Sequence, residues 1–280
     1  MKFTKMHGLG NDFVVVDGFS QRVPNPEQLT VKICDRRTGV GADGLIVIMP
    51  SSKAAFRMHY INSDGSVAEM CGNGIRCLSK YVYEHGLTNS ADFLVETPGG
   101  LNRQVLRVEN GRVVEVSVDM GRPRFLRPEI PMLGDNSKVV NEPLDVDGRV
   151  YRITALSTSN PHAVIFVEDV ERAPVTEIGP KIERHPAFPK RTNVEFVQVL
   201  DRHNIRMRIW ERGCGETLAS GSGSSASAVA SIINGFTDRE VNVHVRLGRL
   251  RISWPEDGTI TMSGPAAEVF SGDWPATPGA

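Results

Sequence analysis

Two short stretches of this 280-residue chain carry the residue types that proton transfer at carbon requires. In EMCGNGIRC, Cys71 precedes Gly72, Asn73 and Gly74; in LASGSGSSA, Ser220 precedes Gly221, Ser222 and Gly223. A thiol or hydroxyl followed by small residues reads as a helix start. Backbone N–H groups there lack acceptors inside the helix and attract an anion, and the helix dipole adds to the attraction. A thiol at such a place has its pKa lowered. The two stretches stand 149 positions apart (220 − 71). The same spacing separates Asn11 from Asn160, Arg57-Met58 from Arg206-Met207, and Gly99 from Gly248. Matches in one order at one spacing mark a duplicated domain. Two such helix starts, one from each half, are expected to point into one cleft and hold a carboxylate, with Cys71 and Ser220 on opposite faces of one carbon. Taking a proton from one face and delivering one to the other inverts that carbon. The plainer reading is a pair of helix N-caps, a position that suits serine better than cysteine; the shared spacing favours chemistry.

Polar residues cluster near the repeated elements. Asn11, Asn62, Asn160 and Asn193 stand at expected strand ends, and Glu211-Arg212 follows the strand NIRMRIW. An arginine grips a carboxylate through two parallel bonds, a neighbouring glutamate receives an ammonium, and amides fix orientation. Together they suit a doubly zwitterionic amino acid. Asparagines in turns and a solvated Glu–Arg pair are the plain alternatives. His162, after Asn160-Pro161, is either structural or placed to tune a nearby thiol.

The elements that must position these groups are α/β in both halves. FVVVDGF, GLIVIM, AFRMHYIN and FLVET read as strands, as do AVIFVED, VEFVQVL, NIRMRIWE and RLRISW. One glycine-opened helix is expected in each half, from Gly72 to about Glu84 with an Ile75, Leu78, Val82, Tyr83 stripe, and from Gly221 to about Asn234. The second is small or apolar on nearly every side and so is expected to be buried. The proline-rich GRPRFLRPEIP is expected to link the halves. Hydrophobic residues at 40%, charged residues at 23% and a net charge of −1 describe a globular chain without the basic excess of a nucleic-acid binder. The longest apolar runs fall far short of the ~20 residues a membrane helix needs, and the opening MKFTKMHGLGNDF does not resemble a signal peptide. A soluble, cytoplasmic protein is expected. Cys34, Cys77 and Cys214 are expected to be small buried hydrophobes, without C-x-x-C metal spacing. The glycine-rich turns lack the lysine or acid of a nucleotide site.

The segments KMHGLGNDFVVVD, RRTGVGADGL, NSDGSVAEMCGNGIRC, ETPGG, SNPHAVIF, RTNVEFV, ERGCGETLASGSGSSA and MSGPAAEVFSG together resemble the diaminopimelate epimerase family over nearly the whole chain. That resemblance implies two pseudo-symmetric domains, each a strand-rich barrel around a central helix, with boundaries at 1–121 and 122–265 and the segment 266–280 returning to the first. It implies a homodimer, no cofactor or metal, and interconversion of LL- and meso-2,6-diaminopimelate for lysine and peptidoglycan synthesis. By resemblance, Cys71 is a catalytic thiol and Gly72, Asn73, Gly221 and Ser222 hold a carboxylate. Asn11, Asn62, Asn160, Asn193, Glu211 and Arg212 bind substrate, and His162 and Glu211 tune the thiols. The chain departs from the family pattern where a second thiol is expected, which is Ser220 here. It also has Gly44 where some members have a substrate-contacting Gln, and Arg246-Leu247-Gly248 in place of a Gly-Gly pair. At neutral pH a hydroxyl is a far weaker acid and base than a thiol, so impaired turnover is expected. Racemisation of another amino acid and amino-acid binding without catalysis are the competing readings.

Overall fold

The computed structural model describes residues 1–68 and 70–275. The chain divides into two compact units, one formed by residues 1–118 with the described residues from Gly264 onward, the other by Asp119–Ser263.

In the first unit the elements run β1 (Lys2–Gly8), β2 (Asn11–Asp17), α1 (Pro26–Ile33), β3 (Gly44–Met49), β4 (Phe56–Asn62), α2 (Gly72–Glu84), β5 (Asp92–Thr97), β6 (Gly100–Glu109) and β7 (Arg112–Asp119). Neighbours pair in that order, antiparallel except for β2–β3 and β4–β5. The two parallel pairs need crossovers, and the β4–β5 crossover carries α2. This helix packs against β1, β2, β3, β4 and β6, so strands surround it. Ile75, Leu78 and Val82 are fully buried, each burial contributing about 1.5–3 kcal/mol.

The second unit contains β8 (Val139–Val146), β9 (Arg149–Ser157), β10 (Pro161–Phe166), α3 (Val175–Glu183), β11 (Asn193–Asp201), β12 (Asn204–Glu211), β13 (Gly215–Thr217), α4 (Gly221–Ile233), β14 (Glu240–Val245), β15 (Gly248–Ser253) and β16 (Thr261–Gly264). The pattern repeats: β10–β11 and β12–β14 are parallel, and α4 lies against β9, β10, β11, β12, β14 and β15. Register repeats too. Phe13 opposes Gly44 in the first unit, and His162 opposes Asn193 in the second. The final strand, β17 (Ala267–Asp273), pairs antiparallel with β1. Residues 276–280, the end of the segment expected to return to the first half, lie outside the described residues.

The serine-rich α4 is buried, as its composition implies, with its hydroxyls partnered inside the helix or on Met207 of β12, which Ser224 and Ser227 reach at 3.8 and 3.3 Å. Ser225 and Ser231 donate to the carbonyls four residues earlier, Gly221 at 2.9 Å and Ser227 at 2.8 Å, a pattern available to serine within a helix. Two expectations are corrected. The proline-rich segment is not a free linker but part of the second unit. Arg124 bridges to Ser157, residues 127–129 form a 3-10 turn, and Ile130 is fully buried in the apolar core. Cys214 is exposed, unlike buried Cys34 and Cys77, because it sits in the hairpin between β12 and β13, where its N–H meets the Glu211 carbonyl. Among the described residues no helix is long and apolar enough to cross a membrane.

Candidate active site

The two helix starts are built alike. Cys71 caps α2 with φ −140° and ψ 111°, its sulfur accepting the Gly74 N–H at 3.4 Å. Ser220 caps α4 with φ −134° and ψ 126°, its hydroxyl oxygen accepting the Gly223 N–H at 3.3 Å. The next N–H of each helix bonds the cap carbonyl, Ile75 to Cys71 and Ser224 to Ser220, both at 2.9 Å. That leaves the N–H groups of Gly72 and Asn73, and of Gly221 and Ser222, as first-turn donors without an acceptor in their own helix. A side chain would be crowded in both turns. A Cβ on Gly74 would stand 3.0 Å from both Ile46 Cδ1 and Met58 Cε, and one on Gly223 would stand 2.6 Å from Ile209 Cδ1 and 3.1 Å from Glu195 Oε1.

In the first unit Asn11, Asn73 and Cys71 form one hydrogen-bonded group. The Asn11 side-chain oxygen accepts from Asn73 Nδ2 at 3.1 Å and from the Cys71 thiol at 3.7 Å. Asn11 Nδ2 donates to Asp43 at 2.6 Å, and Arg76 Nη1, from a fully buried side chain, donates to Asn73 Oδ1 at 2.9 Å. The oxygen and the nitrogen of the Asn11 amide therefore each have a partner. Beside it, burial pushes the Asp12 carboxyl up, but hydrogen bonds and charge from Arg36 and Lys5 outweigh this and hold it at about 2. Asn62 ends β4 in register with Gly44 and donates to Ser66 Oγ at 3.0 Å, and the next N–H, of Ser63, meets the Asp43 carbonyl. Gly44 admits no side chain. A Cβ there would stand 2.5 Å from the Ile61 carbonyl oxygen and from the Tyr60 ring, so Tyr60 fills the space.

In the second unit the polar residues gather around the start of β10. His162, fully buried, meets Asn160 Oδ1 through Nε2 at 2.8 Å and Glu195 Oε1 through Nδ1 at 2.6 Å. Asn193 donates to the Pro161 carbonyl at 2.9 Å and accepts the Arg212 N–H at 2.9 Å, tying the strand that follows Asn160 to the Glu211-Arg212 turn. Glu211 accepts from the Thr217 hydroxyl. A 560 Å³ cavity is lined by Asn160, Arg212, Arg122, Arg124 and Lys190, with Glu129 an acidic wall residue. Its charge suits a ligand with a carboxylate. Ser159 precedes Asn160 at φ 82°, and Gly10 precedes Asn11 at φ 91°; a left-handed turn launches both asparagines.

Sequence reasoning missed several contributors. Glu195 is fully buried between His162 and α4, and its carboxyl is held above the usual carboxylate range by that burial, against the opposing pull of His162. Glu183, also buried, accepts from Trp210 Nε1 at 2.8 Å and from the Gly213 N–H at 3.0 Å, steadying the hairpin that carries Glu211 and Arg212. Asp43 and Arg76 orient Asn11 and Asn73. The readable signal was a charged residue in an otherwise buried element, as in NVEFV and GNGIRC. Burial raises the Cys77 and Cys34 thiols to about 12, which keeps them protonated. Among the described residues no cluster of three or more His, Cys, Asp or Glu side chains is arranged to hold a metal ion.

A family model described as Diaminopimelate epimerase matches residues 3–126 and 154–269. The diaminopimelate epimerase of Pelotomaculum thermopropionicum is 56% identical over 278 residues, spanning 98% of this chain and 99% of that protein. That of Moorella thermoacetica is 53% identical over 277 residues, spanning 98% and 99%. Among solved structures, a probable proline racemase from Agrobacterium radiobacter superposes with a TM-score of 0.72 at 14% identity, covering 99% of this chain and 93% of that one. A phenazine biosynthesis protein of the PhzF family from Bacillus anthracis gives 0.71 at 17%, covering 97% of each; both likenesses concern the fold.

Proposed function

The chain belongs to the diaminopimelate epimerase family, and from that premise we propose how its residues divide the work of interconverting LL- and meso-2,6-diaminopimelate. The reaction exchanges the α-hydrogen of a weakly acidic carbon, so it needs a strong, aimed base and a means of stabilising the carbanion. In this reading the first-turn N–H groups of Gly72, Asn73, Gly221 and Ser222 bind the α-carboxylate and stabilise the charge that develops next to it by fixed dipoles. Cys71, as thiolate, removes the α-proton from one face. Position 220 serves the other face, and there the hydroxyl of Ser220 is a poor match in pKa.

The non-reacting amino-carboxylate end falls to Arg212 and Glu211, with Asn62, Asn160 and Asn193 fixing orientation. Asn11 sets the thiol: its oxygen accepts the Cys71 S–H at 3.7 Å. His162 and Glu211 tune the reacting groups, the role the family resemblance implies for them. A homodimer in the cytoplasm, working without a cofactor, completes the proposal.

The observation that carries it is the matched pair of caps, alike in backbone angles and in the N–H each accepts. Titration calorimetry with LL- and meso-diaminopimelate, against lysine and glutamate, tests it. Binding of diaminopimelate alone is expected, and equal binding of lysine would remove the second carboxylate from the account. The hydroxyl at 220 also favours a binder without turnover. Proton NMR in heavy water separates that reading, since a binder leaves the α-hydrogens unexchanged. Light scattering checks the dimer.

A further inference from the structure

Asn11 and Asn160 occupy equivalent positions (160 − 11 = 149), yet the two amides are held by different means. Asn11 is set by Asp43 and by Asn73, itself bonded to Arg76. Adding 149 to 43, 73 and 76 gives Thr192, Ser222 and Ser225, so the second unit lacks the carboxylate, the amide and the guanidinium at those positions. What it has instead is His162 and Glu195, whose equivalents in the first unit (162 − 149 and 195 − 149) are the apolar Phe13 and Ile46.

We propose that Glu195 is a positioning residue that, through His162, fixes the Asn160 amide with its oxygen turned inward and its NH2 presented as a donor to the ligand. Resting on the reading above that Asn160 binds substrate, the inference adds what holds that asparagine in its binding orientation. The placement of Asn160 Oδ1 toward the ring sets the proton count. Asn160 Oδ1 only accepts, so His162 Nε2 carries hydrogen across the 2.8 Å contact. Nδ1 then faces Glu195 Oε1 at 2.6 Å in one of two forms. Either a neutral imidazole accepts from the protonated carboxyl, or an imidazolium donates to the carboxylate. Both forms keep the Nε2 proton, and both forbid the amide from turning its NH2 toward the ring.

Without Glu195 a neutral imidazole is free to move its hydrogen to Nδ1, and Asn160 then turns over. The arrangement is costly, as expected of a functional constraint. Both side chains are fully buried, and Glu195 Oε2 has no hydrogen-bond partner among the described residues. The fold also makes room for it, because any Cβ on Gly223 would stand 3.1 Å from Glu195 Oε1.

The test is a double-mutant cycle on diaminopimelate affinity, measured by calorimetry on Glu195→Leu, Asn160→Ala and the double variant. Glu195→Leu is expected to weaken binding by about tenfold to a hundredfold, the range for a hydrogen bond to a charged group. The double variant is expected to bind no worse than Asn160→Ala. Glu195→Gln, whose amide can donate to Nδ1 and so keep hydrogen on Nε2, is expected to restore binding. Nitrogen NMR of the His162 ring gives the direct signature: hydrogen on Nε2 in the parent and in Glu195→Gln, and on Nδ1 in Glu195→Leu. If Asn160→Ala binds normally, the reading of Asn160 as a substrate residue fails. If Asn160→Ala is weakened while Glu195→Leu, shown folded by its melting curve and NMR spectrum, binds normally, the positioning role fails. Additive losses in the double variant also overturn it. If Glu195→Leu does not fold, Glu195→Gln decides: loss of the Nε2 hydrogen or of affinity there refutes the proposal.

Discussion

Replacing Ser220 by cysteine isolates the proton transfer that the chain is expected to perform poorly. The structure says the thiol fits the role. The backbone at Ser220 lies within 6° in φ and 15° in ψ of that at Cys71, from −134° and 126° against −140° and 111°. The Ser220 oxygen takes the Gly223 N–H at 3.3 Å, as the Cys71 sulfur takes the Gly74 N–H at 3.4 Å. Sulfur is the weaker cap, so Ser220→Cys costs at most about 0.5–2 kcal/mol of stability, the range for losing a cap altogether. The gain lies in the barrier. A correctly tuned acid or base contributes ~10²–10⁴-fold, which is about 3–5 kcal/mol at 1.4 kcal/mol per decade. Proton NMR in heavy water, started separately from LL- and meso-diaminopimelate, reads both events. The parent chain is expected to exchange deuterium into the isomer whose α-hydrogen faces Cys71 and to invert it slowly. Ser220→Cys is expected to couple exchange to inversion and to invert faster by at least a hundredfold. Equal inversion rates in the two proteins would show that the hydroxyl suffices, and the argument that Ser220 disables one face would be wrong.

Arg212 is exposed on the cavity wall, and Arg212→Ala is expected to weaken diaminopimelate binding at least about tenfold, the low end for truncating one partner of a charge pair that ligand binding would desolvate; unchanged calorimetry would take Arg212 out of the site. Gly44→Ala sets a Cβ 2.5 Å from the Ile61 carbonyl oxygen, an overpacking expected to cost about 1–3 kcal/mol in denaturant unfolding; an unchanged midpoint would show that Tyr60 yields. Asp12 is held at about 2 in the folded chain, below the ~3.9 of an unfolded aspartate. Its contribution is thus present above pH ~4 and lost as pH falls from there toward 2. Asp12→Asn is expected to flatten the acid limb of the stability curve, and an identical limb would refute the assignment. Alkylation followed by mass spectrometry is expected to modify exposed Cys214 first and to spare Cys34 and Cys77, both buried, until the protein unfolds; early labelling of Cys77 would contradict its burial.

How far the sequence could be read depended on whether local chemistry and tertiary placement agreed. The Gly72 and Gly221 helix starts were legible because glycine, a capping atom and the 149-residue spacing all pointed to one element, and α2 ends at Glu84 as expected. The eight-residue α1, opened by Pro26, and α3, with Pro180 inside it, were not read as helices. Each is too short for a clear period, and an internal proline argues against a helix wherever packing does not override it. Glu195 was missed for a different reason. Alternation assigns a carboxylate in a strand to the solvent face, which presumes that one face is open. β11 pairs parallel with β10 and has α3 and α4 packed against it, so neither side offers water, as in sheets covered on both faces. Val194, Glu195 and Phe196 are all fully buried, and a carboxylate confined there must find a partner in the fold. The neighbouring strand offers one at the right height, because His162 is in register with Asn193, two residues before Glu195 on β11. That pairing follows from strand register and two-sided burial, which no single stretch of sequence carries, and it governs the asparagine that the motif did reveal.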